Sequence, residues 1–151
     1  LSDAEMFWQP GPNCWTVRPN ENGRWVIDYA EPTPFTTIAW RLIHVAACKI
    51  MYHEYAFGPG KLSWDELDLP HTAAAAVAWL EVGQVQLKTA LDSLNDASSS
   101  VGLEQALAEM RPTNWGDIWP VWRIFWTMAA HDLQHGAEIG CLRDLYRNVH
   151  L

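Results

Sequence analysis

His131 and His135 stand four residues apart, and a third histidine, His44, lies far upstream. On a helix, side chains at i and i+4 share one face about 6 Å apart, so both imidazoles can reach one divalent ion. A neutral imidazole from a facing helix brings the donors to three, the count of open catalytic sites that keep a position for water or substrate. Glu138, at the edge of the same face, suits either an imidazole-holding partner or a base; its plainer reading is an ion pair with a nearby arginine. Asp132 is a second carboxylate able to move protons. A single inward histidine is ordinarily a core residue bonded to a carbonyl. Two of them crowded onto one apolar face are costly to satisfy without a metal.

These residues need helices to position them. Thr36 to Phe57 holds no proline or glycine, follows Pro34 and stops at Gly58-Pro59-Gly60, which predicts a helix of about six turns. At 100° per residue, Arg41, Lys49, His53 and Glu54 average to one polar direction, and His44 points away from them beside Trp40, Ala47 and Met51. A second helix is predicted from Thr72 through Leu94, where Val77, Leu80, Leu87, Leu91 and Leu94 recur at helical spacing and Gln84 interrupts the stripe. A buried amide there needs partners. Leu103 to Met110 predicts a short helix. The last long helix runs from Pro120 towards Asn148, with Ile124, Met128, Ile139, Leu142 and Tyr146 on the face that carries His131 and His135. Residues 1–35 are rich in proline and read as a loop-rich lead segment, with Ser2 and Glu5 capping one short turn; Ser63 and Glu66 repeat that pattern. Asn95 to Gly102 reads as a polar loop. No sustained two-residue alternation is visible, so the expected class is all-α.

The chain of 151 residues has the size of one domain, residues 1–151. Hydrophobic residues at 49% and charged residues at 19% supply a core and argue against disorder. A net charge of −8 repels phosphate backbones and anionic lipid, so neither nucleic acid nor a membrane surface is an expected partner. No apolar run reaches the roughly 20 residues of a spanning helix. Cys14, Cys48 and Cys141 are odd in number and widely spaced, the pattern of small buried reduced thiols and a cytoplasmic protein. Cys48 lies one turn beyond His44. His53, His71 and His150 read as surface residues. Trp115, Trp119, Trp122 and Trp126 cluster at the start of the last helix, as packing or as the wall of a pocket.

The segments Thr37-Ile38-Ala39-Trp40-Arg41-Leu42-Ile43-His44 and His131-Asp132-Leu133-Gln134-His135-Gly136-Ala137-Glu138-Ile139 resemble the DinB-like family of metalloenzymes. Phe7-Trp8-Gln9-Pro10 to Trp15-Thr16-Val17 and the closing Leu142-Arg143-Asp144-Leu145-Tyr146 fit the same pattern. The resemblance covers nearly the whole chain. It implies an up-up-down-down four-helix bundle holding a divalent ion, zinc or nickel, on His44, His131 and His135. It places Leu1 just after the family's first helix, which accounts for only three long helices, and it implies no DNA binding. Some relatives are thiol-dependent transferases or isomerases that use bacillithiol or mycothiol.

The leading functional expectation is a metal-dependent enzyme that activates a low-molecular-weight thiol or water and attacks a small-molecule substrate, with Glu138 or Asp132 moving protons. The alternatives are a non-enzymatic bundle that holds a metal or apolar ligand, and a purely structural helical protein. A homodimer is compatible with the sequence.

Overall fold

The computed structural model describes residues 1–28, 35–94 and 102–150. Ser2 Oγ accepts from the Glu5 amide at 3.2 Å and starts α1 (Asp3–Met6), as its spacing predicts. β1 (Thr16–Pro19) and β2 (Trp25–Asp28) form an antiparallel hairpin with Val17 opposite Ile27. Asn20 Oδ1 closes its turn, accepting from the Asn22 and Arg24 amides at 3.0 Å each, and Gly23 takes a positive φ of 77°.

α2 (Ile38–Phe57) begins where Thr37 Oγ1 accepts from the Trp40 amide at 3.1 Å, and ends at Gly58. The capping box at Ser63 and Glu66 holds a single 3-10 turn, Trp64–Glu66. α3 (Ala73–Leu94) follows, then α4 (Leu103–Ala108), β3 (Met110–Pro112), β4 (Ile118–Pro120) and α5 (Val121–His150). Most of the loop expected from Asn95 lies outside the described residues. The helix expected to reach Met110 stops at Ala108, because Met110 pairs with Pro120 in a second hairpin.

The protein is mostly helical, and its two hairpins correct the expectation of an all-α chain. Their strands are three or four residues long and each pair contains proline, so no alternation accumulates for the sequence to display. Cys14 and Cys48 are buried and Cys141 is exposed, which corrects the expectation for Cys141; all three are free thiols.

α2 is the central helix. Ala39, Ile43, Ala46 and Ala47 are fully buried, and α3 and α5 both pack against α2. Between α3 and α5 an apolar groove remains, floored by Leu42, Val45 and Lys49 and walled by Leu80, Leu87, Leu91, Phe125 and Ile139. Lys49, which the helical wheel placed on the polar side, is 2% exposed at this floor. Its Nζ donates to Gln84 Oε1 at 3.0 Å and to Asp132 at 2.5 Å. A wheel records direction from one axis and not what other helices bring to it. Gln84 is itself exposed rather than buried, and Lys49 is the partner its amide finds.

The α2 to α3 approach depends on Gly83, where an added Cβ would sit 2.9 Å from Lys49 Cβ and 3.3 Å from the Ala46 carbonyl. In Gly83→Ala the gain in helix propensity, about 1 kcal/mol, opposes an overpacking cost of about 1 to 3 kcal/mol. The obstructing atoms belong to a helix backbone and a Cβ, neither of which can swing aside, so overpacking wins. We expect a lower urea midpoint at unchanged slope; a midpoint equal to or above that of the parent protein contradicts this packing.

Candidate metal centre

α2 presents His44, and one turn apart α5 presents His131 and His135. The two helices run antiparallel at this layer, since Arg41 meets Glu138 and Lys49 meets Asp132. The ring centroids of His44 and His131 are 4.9 Å apart, those of His44 and His135 5.3 Å, and those of His131 and His135 4.4 Å. Trp40 stacks on His44 at 4.6 Å and walls the cluster. The three sequence-predicted imidazoles are thus neighbours, although the donor atoms close enough to share an ion are those of His44, His131 and Cys48, not His135.

His44 Nε2 and His131 Nε2 face each other at 3.1 Å. Two nitrogens sharing one tetrahedral ion at 2.0 to 2.1 Å would be separated by about 3.3 Å. Burial first, then the neighbouring imidazoles, pushes both His44 and His131 down to about 4. Both rings are thus neutral lone-pair donors at physiological pH. His131 Nδ1 is buried with no hydrogen-bond partner, so this ring, unlike His135, lacks the outer bond that ordinarily orients a metal-ligating imidazole.

His135 Nδ1 lies 2.6 Å from Glu138 Oε2, and the same oxygen accepts from Arg41. A carboxylate only accepts, so the shorter contact assigns the Nδ1 proton to the Glu138 side, while Arg41 Nη1, itself a donor, crowds the same nitrogen at 3.0 Å. The two sequence readings of Glu138, imidazole partner and arginine ion pair, hold together. Asp132 turns to the groove side with Lys49 and does not join the histidines. Arg41 was misread as a polar-face residue; its position three before His44 was the available sign that it shares the site's side of α2.

His44, Cys48 and His131 form a cluster whose donor atoms lie within 4.8 Å of one another, near enough to hold a metal ion. Cys48 Sγ is 3.9 Å from His44 Nδ1 and 3.8 Å from its Nε2. Only a shared ion, and not the sulfur, has to lie on the Nε2 lone-pair axis, so Cys48 is within reach of an ion held by His44 and His131. Burial pushes its thiol up to about 12.

A cavity of about 480 Å³ opens onto His44. Its wall includes Trp25 and Ile27 of the first hairpin, Trp64 and Leu67 beside the 3-10 turn, and Trp115. Of the tryptophans flagged in the sequence only Trp115 lines it; Trp122 and Trp126 are exposed elsewhere. His53, His71 and His150 stand outside the cluster.

A helical chain with a metal-competent histidine cluster between two of its helices is the class that fold and site define. The DinB superfamily profile matches residues 1–139, and the chain belongs to that superfamily. No curated protein and no solved structure was found to match it. No helix among the described residues is long and apolar enough to cross a membrane.

The histidine burial has a pH signature. A histidine whose folded pKa lies below its unfolded value makes the unfolded chain bind more protons, so stability falls as pH drops. With unfolded values near 6.5 and folded values near 4 for His44 and His131, the loss spans that interval and saturates below it. Urea midpoints of metal-free protein should fall steadily from pH 7 to pH 4.5, and the fall should flatten in a His44→Gln, His131→Gln double variant. An equally steep fall in the double variant assigns the effect elsewhere.

Proposed function

We propose that this chain is a divalent-metal-dependent enzyme whose ion, zinc or nickel, is held by His44, His131 and His135. The observation that carries the reading is the convergence of three imidazoles, two held neutral by burial and the third with its Nδ1 proton fixed by Glu138. When bound, such a dication supplies a Lewis acid that lowers the pKa of a water or thiol at its open position. The chain's own residues do the rest. Glu138 fixes the tautomer of His135, Arg41 fixes Glu138, and Trp40 restricts the plane of His44. The cavity beside His44 gives a small-molecule substrate access and limits water. Glu138 acts here as a positioning residue. Asp132 is the weaker candidate for proton transfer, since its geometry commits it to Lys49.

The favoured reaction is attack of a low-molecular-weight thiol on an electrophile, in the manner of a thiol S-transferase, ahead of hydrolysis. A soft thiolate suits an imidazole-held dication that has an open position. The setting is cytoplasmic, with no nucleic-acid or membrane partner. Purified protein should carry close to one equivalent of zinc or nickel and should turn over electrophiles with mycothiol, bacillithiol or glutathione. Metal content should collapse in His131→Ala. Full metal occupancy without turnover favours a non-enzymatic metal-binding module, and no metal in either protein removes both readings.

The up-up-down-down four-helix bundle requires a fourth amphipathic helix in the groove between α3 and α5, supplied within a longer chain or by a partner copy. The apolar walls of the groove and the unpartnered Asp132 Oδ1 support it. The native protein should then bind little of an apolar fluorescent dye; strong binding, lost when Leu80 and Leu91 are both changed to lysine, would overturn this architecture.

A further inference from the structure

The cavity beside His44 has a lining that selects its occupant. Its volume, about 480 Å³, falls in the range of small-molecule pockets. Trp64 and Trp115 approach with centroids 5.7 Å apart and planes inclined at 34°, forming an aromatic corner. Trp115 is 58% exposed, so it presents ring surface that the fold has not used.

The opposite side is held in place. Trp25 stacks on His71 at 5.3 Å and meets Phe7 at 5.7 Å, while Arg24 Nη2 donates to the Leu67 carbonyl at 3.2 Å. The hairpin that carries Trp25 is thereby tied to the chain around the 3-10 turn. The chamber is preformed, and a ligand spends little binding energy in ordering it.

We propose that this chamber binds a planar aromatic group and that Trp64 and Trp115 select it over saturated groups of equal size. Flat π-surfaces stack on indole and gain about two- to tenfold in affinity per ring pair beyond area burial, and a puckered ring forfeits that gain. His44 in the chamber wall places the bound ring next to the histidine cluster. The inference deepens the enzymatic reading by naming the aromatic class of electrophile that the centre would meet, and it rests on that reading only for the chemistry.

The test compares 1-naphthylmethanol with its fully saturated decalin analogue, by titration calorimetry and by quenching of tryptophan fluorescence. The aromatic probe should bind about tenfold more tightly, the equivalent of one to two such ring contacts. Trp115→Leu keeps apolar surface at an exposed position and should remove most of that preference; Trp64→Leu should do the same. His131→Ala should keep the preference, which separates failure of the metal reading from failure of this one. Equal affinity for the two probes, or a preference that survives both leucine variants, overturns the proposal.

Discussion

Two ion pairs set the register on which the site depends. Arg41 to Glu138 and Lys49 to Asp132 join α2 to α5 on either side of the histidine layer. They are eight residues apart on α2, about 12 Å along its axis, and six on α5, about 9 Å. His44 and His135 fall between them, and His131 lies one residue outside the second pair. A one-turn slip of either helix would break both pairs and carry His44 past its partners. The Lys49 side chain is only 3% exposed, so its charge is expensive to bury, and replacing Asp132 would leave that charge unmatched. Such a pair adds little net stability over an apolar contact of the same shape. Its contribution is registry, because wrong alignments strand a charge.

The same economy operates inside the histidine layer. An imidazole in an apolar bundle ordinarily presents one nitrogen and bonds the other to a partner. Glu138 is that partner for Nδ1 of His135, and Arg41 balances the carboxylate, so the added carboxylate brings no unmatched charge. His44 is restrained by the ring face of Trp40, with His131 Nε2 and Cys48 Sγ as its polar neighbours. The site is thus built by packing on the α2 side and by polar contacts on the α5 side.

The long helices were legible because their signals are local and repeated. Thr37, the glycines after Phe57 and Pro120 mark ends, and apolar residues at helical spacing mark faces. The hairpins left no such trace. Thr16–Pro19 and Trp25–Asp28 contribute four residues each, and their one clear sign was the Asn20 to Gly23 turn. Arg41 and Lys49 were misread for a different reason. Both lie towards the polar side of an isolated α2, yet Glu138 and Asp132 arrive from about 90 residues away to receive them, and no single-helix projection contains that information. Trp25 and Trp64 were missed as cavity residues on the same ground, since neither shares an element with the histidines.

Cys48 shows how one side chain can be both a core residue and a ligand within reach of the histidines. One helical turn brings its sulfur as near to His44 as any ligand would need to be, and its burial among Tyr52, Leu87, Ile124 and Met128 is that of a small core side chain. A shared ion must lie on the lone-pair axis of each imidazole, in the plane of its ring. Only the ion, and not the sulfur, must lie on that axis, so Cys48 at 3.8 Å from His44 Nε2 stays within ligand reach, while His135 has its Nδ1 engaged by Glu138. Among the described residues the donor atoms that lie within 4.8 Å of one another belong to His44, Cys48 and His131, so two side chains compete for the third place at this layer: a buried thiol already in range, and an imidazole held by Glu138.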